Sequence, residues 1–388
     1  MNKYNKKFKK MFKFLSFSLF CVFINLAVLE FSMYYFVKTM RIKHSFDLKD
    51  KTTTKEKLSK YKIYDKALGW NISDQHSIVS KTNFAASPRA REYSKDFLAL
   101  FGDSFTHDFK AHLLSKVLKA DVYNFGVGMY GTDQAYLKFL EYFPKVRTKI
   151  VALGLIGENI NRIVNTYRKF YFSWATPVTK PRFQLVKTHE LYHTKDQLVL
   201  IKNPIEDVSD FEKLTSVDGL SLIGKFDYYY QKNLFWKRAS FPYSKMVFSA
   251  KILRLILDIF LERFEKLGLW RDREARSIMF KIFDNFVAQA KKYNSIPIIM
   301  ILPMKEDLEY MLENKKDMPY LKLILKYCET NNYYFFNAAS CLADKVKSHE
   351  DISPFFDIDH LGGKAYEIIA QCFYNFLKTK KLLQEPSQ

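Results

Sequence analysis

Apolar and polar positions along the chain fall into one long, almost entirely apolar run, several short runs and a set of helical stripes. The long run is Phe14 to Val37, 24 residues interrupted only by Asn25 and Glu30. As a helix it is long enough to span a bilayer. The short runs are Phe97–Phe101, Asp121–Phe125, Ile150–Ile156, Ile296–Leu302 (closed by Pro303) and Tyr333–Phe336. They lack the alternation of half-exposed strands and read as strands buried on both faces. Between them, Gln134–Tyr142 reads as a helix with Asp133 as its cap. Met279, Ile282, Phe283, Phe286, Val287 and Ala290 share one face of another, and Leu321–Thr330 and Gly362–Tyr374 are helical as well. Strands alternating with helices predict an α/β domain built on a parallel, doubly wound sheet. No internal repeats are present.

The same pattern sets the boundaries. Residues 1–13 are a basic tail, 14–37 the membrane span, 38–94 a polar stalk and lead-in, and 95–381 the α/β domain. Only Leu68–Ile72 within the lead-in looks packed. About 165–273, from Asn165 to Arg273, is an insertion between strands, aromatic and basic, with an amphipathic apolar stretch at Met246–Leu261. Two readings of it stay open: a substrate-binding cap whose rings stack on sugars and whose cations pair with acids, or a packed subdomain whose aromatics are core. The apolar stretch could also dock on the membrane or on a partner.

Charge then orients the chain. Six lysines precede the span, and Tyr34, Tyr35 and Phe36 form an aromatic belt near its end. No small-residue cleavage site follows Val28, so the segment reads as an uncleaved anchor rather than a signal peptide. The N-terminus is expected in the cytoplasm and everything after Lys38 outside it, in a periplasmic setting. Glu30 is expected near the outer interface. The formal net charge of +21 comes from scattered lysines. No finger, basic helix-turn-helix or aromatic RNA-binding pattern accompanies it, which argues against a nucleic-acid partner. Outside the anchor, which holds Cys21, three cysteines remain: Cys328, Cys341 and Cys372. Three do not make a disulfide framework or a zinc spacing, so buried free thiols are expected, with Cys328–Cys341 the pair considered.

Candidate chemistry gathers at two distant places. The first strand ends in Gly102-Asp103-Ser104, which is how a buried parallel strand delivers a serine to the C-terminal rim of an α/β sheet. Near the far end, Asp357-Ile358-Asp359-His360 precedes a helical stretch. A serine hydroxyl needs a neighbouring base, and His360 supplies one if its ring reaches Ser104. His107, close to the serine in sequence, reads as a surface residue.

Four blocks in this order resemble the SGNH, or GDSL-type, hydrolases. Gly102-Asp103-Ser104-Phe105 matches the nucleophile block and Asp357-x-x-His360 the acid–base block. Asn124-Phe-Gly126-Val-Gly128-Met129-Tyr-Gly131-Thr-Asp-Gln134 and Gly157-Glu158-Asn159 resemble the two blocks that supply oxyanion donors. The resemblance covers roughly Phe97 to Leu377. It implies a flavodoxin-like three-layer α/β/α fold, Ser104 as nucleophile, His360 as base, and Asp357 rather than Asp359 as the acid. It also implies an oxyanion hole from the N–H of Ser104, the turn at Met129 and the Asn159 amide. Two departures stand out: Met129 where the family carries glycine, and Ile after Asn159 where the family usually carries Asp. Nothing in the pattern requires a metal or an organic cofactor.

The glycine-rich block ending in Tyr-Gly-Thr-Asp-Gln, and Glu-Asn followed by Arg162, resemble a polysaccharide-associated subset of that family. The resemblance implies a membrane-tethered serine esterase or acyltransferase that removes or adds O-acetyl groups on a cell-surface or exported polysaccharide through an acyl-Ser104 intermediate. Transfer would need a multi-pass membrane protein as acyl donor. Two other readings stay open: a catalytically inactive glycan-binding or assembly protein, and a lipid esterase at the membrane.

Overall fold

The computed structural model describes residues 2–39, 64–71, 80–82, 97–171, 178–190, 193–207, 210, 213–214, 216–232 and 267–383. Met246–Leu261 and most of the stalk lie outside the described residues.

The chain opens with α1 (Asn2–Thr39), whose stretch Lys13–Ser32 is long and apolar enough to cross a membrane and is not buried against the rest of the chain. The lead-in then forms a small antiparallel pair, β1 (Tyr64–Asp65) and β2 (Gly69–Trp70), and a short strand, β3 (Ser80–Thr82). The first half of the domain runs β4 (Leu98–Phe101), α2 (Ser104–Asp108), α3 (Ala111–Leu118), β5 (Val122–Asn124), α4 (Thr132–Val146), β6 (Ile150–Leu155) and α5 (Asn159–Arg162). The insertion contributes α6 (Arg168–Tyr171), a hairpin of β7 (Arg182–Glu190) and β8 (His193–Ile201), α7 (Val217–Gly224) and α8 (Tyr228–Lys232). The second half is α9 (Arg273–Lys292), β9 (Ile296–Ile301), α10 (Lys305–Asn314), α11 (Pro319–Thr330), β10 (Tyr334–Asn337), α12 (Ala338–Ala343), the hairpin β11 (Phe356–Asp357)–β12 (His360–Leu361), and α13 (Gly363–Thr379).

Five strands are parallel, in the spatial order β10-β9-β6-β4-β5, and helices cover the sheet to give the expected three-layer α/β/α fold. The continuous apolar runs become the central strands: every residue of β4 and β6 is buried. Their side chains interlock with the helices through aromatic contacts. The Phe139 ring of α4 lies 5.5 Å from Phe101, 4.9 Å from Phe143 and 4.9 Å from Phe286 of α9. Each such ring contributes roughly 1.5–3 kcal/mol by leaving water. From β4 the chain steps to β5 on one side and later to β6, β9 and β10 on the other. The C-terminal end of β4 is therefore the topological switch point, where α/β sheets open a crevice for ligands. Ser104 sits there.

Beside the five parallel strands, β3 joins β5 antiparallel as an edge strand. Two expectations need correction. Asp133 does not cap α4. Gly131 is the N-cap residue, its N–H donating to Gln134 Oε1 (3.1 Å); Asp133 lies inside the first turn, its Oδ1 accepting from Gln134 N–H (2.9 Å) and its Oδ2 held in a buried ion pair with Lys180. Burial raises the Asp133 carboxyl and lowers the Lys180 ammonium, and each pulls the other back toward its charged form. Cys341 is bonded to Cys372, not Cys328, because α12 and α13 pack side by side with those Cα atoms 6.2 Å apart; Cys328 is a buried free thiol.

A second apolar core joins the lead-in (Leu68, Trp70), the glycine-rich turn (Val127, Tyr130) and the insertion (Tyr167, Phe170, Ile205, Tyr230). These aromatics are core, as the packed-subdomain reading expects. Asp227, fully buried, accepts from the Asn165 amide (2.9 Å) and the Thr166 hydroxyl (3.0 Å), tying the two ends of the described insertion together.

Candidate active site

The strand-to-helix turn after β4 is shaped by glycine. A Cβ on Gly102 would lie 2.0 Å from Thr106 Oγ1 and 2.7 Å from the Gly154 carbonyl, so no side chain fits. Asp103 then caps α2, its Oδ1 accepting from the N–H of Phe105 (3.0 Å) and Thr106 (3.4 Å). Ser104 is the first residue of that helix. Asn124, from β5, donates to the carbonyls of Thr106 (2.7 Å) and Phe109 (2.8 Å) and accepts from Gly126 N–H (2.9 Å), locking the short helix to the glycine-rich turn.

His360 arrives from 256 residues away on β12. Its ring stacks on Phe105 at 4.9 Å, and Tyr366 of α13 donates to the Phe105 carbonyl at 2.7 Å, fixing both. The result is His360 Nε2 at 2.9 Å from Ser104 Oγ, hydrogen-bonding distance for a nucleophile and its base.

Val127–Tyr130 is a β-turn closed by Tyr130 N–H to Val127 O (3.3 Å), with Met129 at φ 67°. Positive φ at the third position makes it type II. A methionine there costs on the order of 1 kcal/mol relative to glycine. The N–H groups of Val127, Tyr130 and Gly131 are all bonded, to Gly102 O, Val127 O and Gln134 Oε1. Those of Ser104, Gly128 and Met129 make no hydrogen bond among the described residues. Asn159, fully buried at the start of α5, lies with its amide beside the Asp103 carboxylate, which it helps keep charged; among the described residues neither amide atom makes a hydrogen bond of good geometry. Buried polar groups are nearly always fully bonded, so an under-satisfied amide beside the residue preceding Ser104 is a candidate donor to a bound group.

Several solved structures resemble this chain. One is a protein from Bacteroides fragilis NCTC 9343 provisionally described as an acylhydrolase, 12% identical, covering 76% of this chain and 91% of its own, with a TM-score of 0.33. Another is a GDSL-like lipase from Bacteroides thetaiotaomicron VPI-5482, 11% identical, covering 73% and 89%, with a TM-score of 0.32. No family model and no curated protein matches the chain.

Around the turn, buried charges hold the backbone. Trp70 Nε1, Arg168 Nη1 and Arg162 Nη1 donate to three successive carbonyls, Gly128, Met129 and Tyr130, each at 3.0 Å. Arg162 is paired with Glu158 (3.1 Å) and approaches Asp103 (3.8 Å), and Tyr171 donates to Glu158 (3.0 Å). Burial depresses Arg162, but Glu158 and Asp103 more than restore it, so it stays charged. Burial, and then the neighbouring Arg162, bring Arg168 down to about 10, which leaves it charged at neutral pH. Burial raises Asp103 while Arg162 and the cap N–H groups pull it back.

Asp357 faces His360 across the β11–β12 hairpin but makes no hydrogen bond or ion pair with it; nor does Asp359. Both are exposed. The Asp357 carboxylate lies instead over Gly362, where an added Cβ would sit 3.1 Å from its Oδ2. The hairpin turns through Ile358, at φ 60° and 92% exposed. His107 is exposed, its Nδ1 3.1 Å from Gly126 O. A separate cavity of about 460 Å³ lies within the insertion, lined by Thr166, Lys202, Asn203, Lys213 and Phe226; neither Ser104 nor His360 borders it.

The structure thus brings Ser104 and His360 into contact, places Asn159 beside Asp103 and Met129 in the glycine-rich turn, and leaves Asp357 opposite His360 but unbonded. Sequence reasoning missed Trp70 and Arg168. The one available signal for Trp70 was that Leu68–Ile72 is the only packed-looking stretch in a polar lead-in.

Proposed function

We propose that the chain is a serine esterase or acyltransferase of the SGNH type, working through an acyl-Ser104 intermediate. The observation that carries this is the 2.9 Å contact of Ser104 Oγ with His360 Nε2 at the switch point of the sheet. In this mechanism Ser104 Oγ attacks an ester carbonyl as its proton passes to His360 Nε2. The developing oxyanion takes hydrogen bonds from the N–H of Ser104 and Met129 and from the Asn159 amide. Collapse breaks the bond to the alcohol, which leaves with the proton from His360. Water, or a second hydroxyl, then attacks the acyl-serine with His360 again as base. Asp357 is the acid that orients His360 once the hairpin closes on substrate, since catalytic hydrogen bonds are often long in unliganded sites.

The substrate we propose is an O-acetylated cell-surface or exported polysaccharide, met by a catalytic domain tethered outside the cytoplasm through α1. The polysaccharide-type blocks around Tyr130–Gln134 and Arg162, and the anchor-length helix, support this reading. In the transfer version, a multi-pass membrane protein delivers the acyl group. The test is acetate release from O-acetylated polysaccharide by the full chain in detergent, with and without an acceptor sugar. Acetate release supports hydrolysis, acetylated acceptor supports transfer, and a preference for long acyl esters over acetyl would replace the proposal with a lipid esterase. A non-catalytic glycan-binding role draws on one observation, the missing Asp357–His360 bond. Glycan binding by wild type and Ser104→Ala alike, without turnover by either, would establish it.

A further inference from the structure

The turn that would hold the oxyanion can exist in two forms, and the lead-in selects between them. Types I and II of a β-turn differ by reversal of the central peptide, here Gly128–Met129. In a trans peptide the C=O and N–H point in opposite directions. Whatever grips the Gly128 carbonyl on one side therefore aims the Met129 N–H to the other. Methionine by itself favours the type I form, in which position 129 has negative φ, because only glycine takes positive φ freely. Gly128 offers no resistance to reversal, since a Cβ there would meet nothing within 4 Å.

The observed turn is nonetheless type II, with Met129 at φ 67°. Trp70 Nε1 donates to the Gly128 carbonyl at 3.0 Å, and Arg168 Nη1 to the next carbonyl, Met129, at 3.0 Å. Trp70 is itself fixed: it is 2% exposed, packs edge-on against Tyr130 at 5.7 Å, and its own carbonyl accepts from the Tyr130 hydroxyl at 2.6 Å. Gln134 Nε2 holds the neighbouring Leu68 carbonyl at 2.7 Å. Arg168, nine-tenths buried, spends no donor on a carboxylate among the described residues, and its Nε has no partner among them.

We infer that Trp70 is a positioning residue: its indole N–H holds the Gly128–Met129 peptide in the orientation that presents the Met129 N–H as an oxyanion donor, with Arg168 steadying the next peptide. The stretch Tyr64–Asn71 is then part of the catalytic apparatus rather than a passive lead-in, and the arrangement supplies what the glycine of related blocks would supply through backbone freedom. The inference rests on the esterase reading above for its effect on rate, but its claim about the turn does not.

The test uses the full chain in detergent and p-nitrophenyl acetate. Trp70→Phe keeps the ring and removes only the donor. It is expected to lower kcat about 10- to 100-fold, up to the effect of losing one oxyanion donor, with KM changed less than about threefold. Met129→Gly removes the bias toward type I, so the double variant Trp70→Phe/Met129→Gly is expected to recover to within about threefold of Met129→Gly alone. A purely structural role for Trp70 gives no such rescue. Wild-type kcat in Trp70→Phe, or a double variant no faster than Trp70→Phe, overturns the inference. If Trp70→Phe does not fold, Arg168→Met with the same rescue serves. If wild type and Ser104→Ala hydrolyse the ester alike, the esterase reading fails. Crystal structures of wild type and Trp70→Phe then decide the turn: a reversed Gly128 carbonyl in the variant supports the inference, and an unchanged type II turn overturns it.

Discussion

Replacing Asn159 by alanine separates a catalytic amide from a structural one. Both polar atoms of its side chain are buried beside the Asp103 carboxylate, and among the described residues neither makes a hydrogen bond of good geometry, which costs on the order of 1–3 kcal/mol in the resting protein. Alanine removes that cost. Against it stand the lost contacts of a few heavy atoms, roughly 0.1–0.2 kcal/mol per atom pair, and the lost neighbour of Asp103. Asp103 keeps the N–H groups of Phe105 and Thr106 and the approach of Arg162. The two sides nearly cancel, so the unfolding free energy changes by no more than about 1 kcal/mol and Tm by about 2–4 °C. Catalysis has no such compensation: loss of one oxyanion donor lowers kcat about 10²–10³-fold, or about 2.7–4 kcal/mol. The assay is p-nitrophenyl acetate hydrolysis by the full chain in detergent, with thermal unfolding of the same samples. Unchanged kcat, or a fall in activity that merely tracks a large loss of Tm, would refute the argument.

Three further outcomes follow from the geometry. Gly102→Ala forces a Cβ to 2.0 Å from Thr106 Oγ1, so it lowers Tm by more than about 4 °C together with activity, seen by calorimetry. Asp357→Asn lowers kcat about 10²–10⁴-fold if this carboxylate orients His360, while Asp359→Asn changes it less than about threefold; steady-state kinetics on both variants distinguishes them. Burial brings Lys138 from 10.5 down to about 7. Between those values the unfolded chain holds more protons than the folded one, so this residue makes stability rise with pH from about 7 to 10.5, and its burial penalty is present in full below 7. Lys138→Met, which gives up the 3.2 Å bond to Asn71 and the contact of the ammonium with the Tyr142 ring at 5.6 Å, therefore raises the unfolding free energy at pH 7 by about 1–3 kcal/mol and flattens that rise in denaturant titrations.

What could be read from the chain follows from where the physics is local. The central strands were legible because parallel strands covered on both faces are continuous apolar runs, as in Ile150–Leu155 and Ile296–Ile301. The edge strand Ser80–Thr82 was not, since a polar tripeptide becomes a strand only through its pairing with β5. The hairpin Arg182–Ile201 carries alternation that the aromatic, basic composition around it obscured. Ser104 and His360 could be named from their blocks, but their juxtaposition needed Phe105 and Tyr366, which no local pattern marks. Asp133 has the sequence position of a cap and a different role, because a lysine 47 residues away claims its carboxylate. Trp70 and Arg168 act on backbone carbonyls, and carbonyl acceptors have no sequence signature.

The central claim is that Ser104 is a nucleophile activated by His360. Fluorophosphonate treatment of the full chain in detergent, with the adduct mapped by mass spectrometry, tests it most directly. The account predicts a single adduct on Ser104, absent from Ser104→Ala and lost from a folded His360→Ala variant. A folded wild-type chain that takes no label, or labelling of Ser104 that persists without His360, would contradict it.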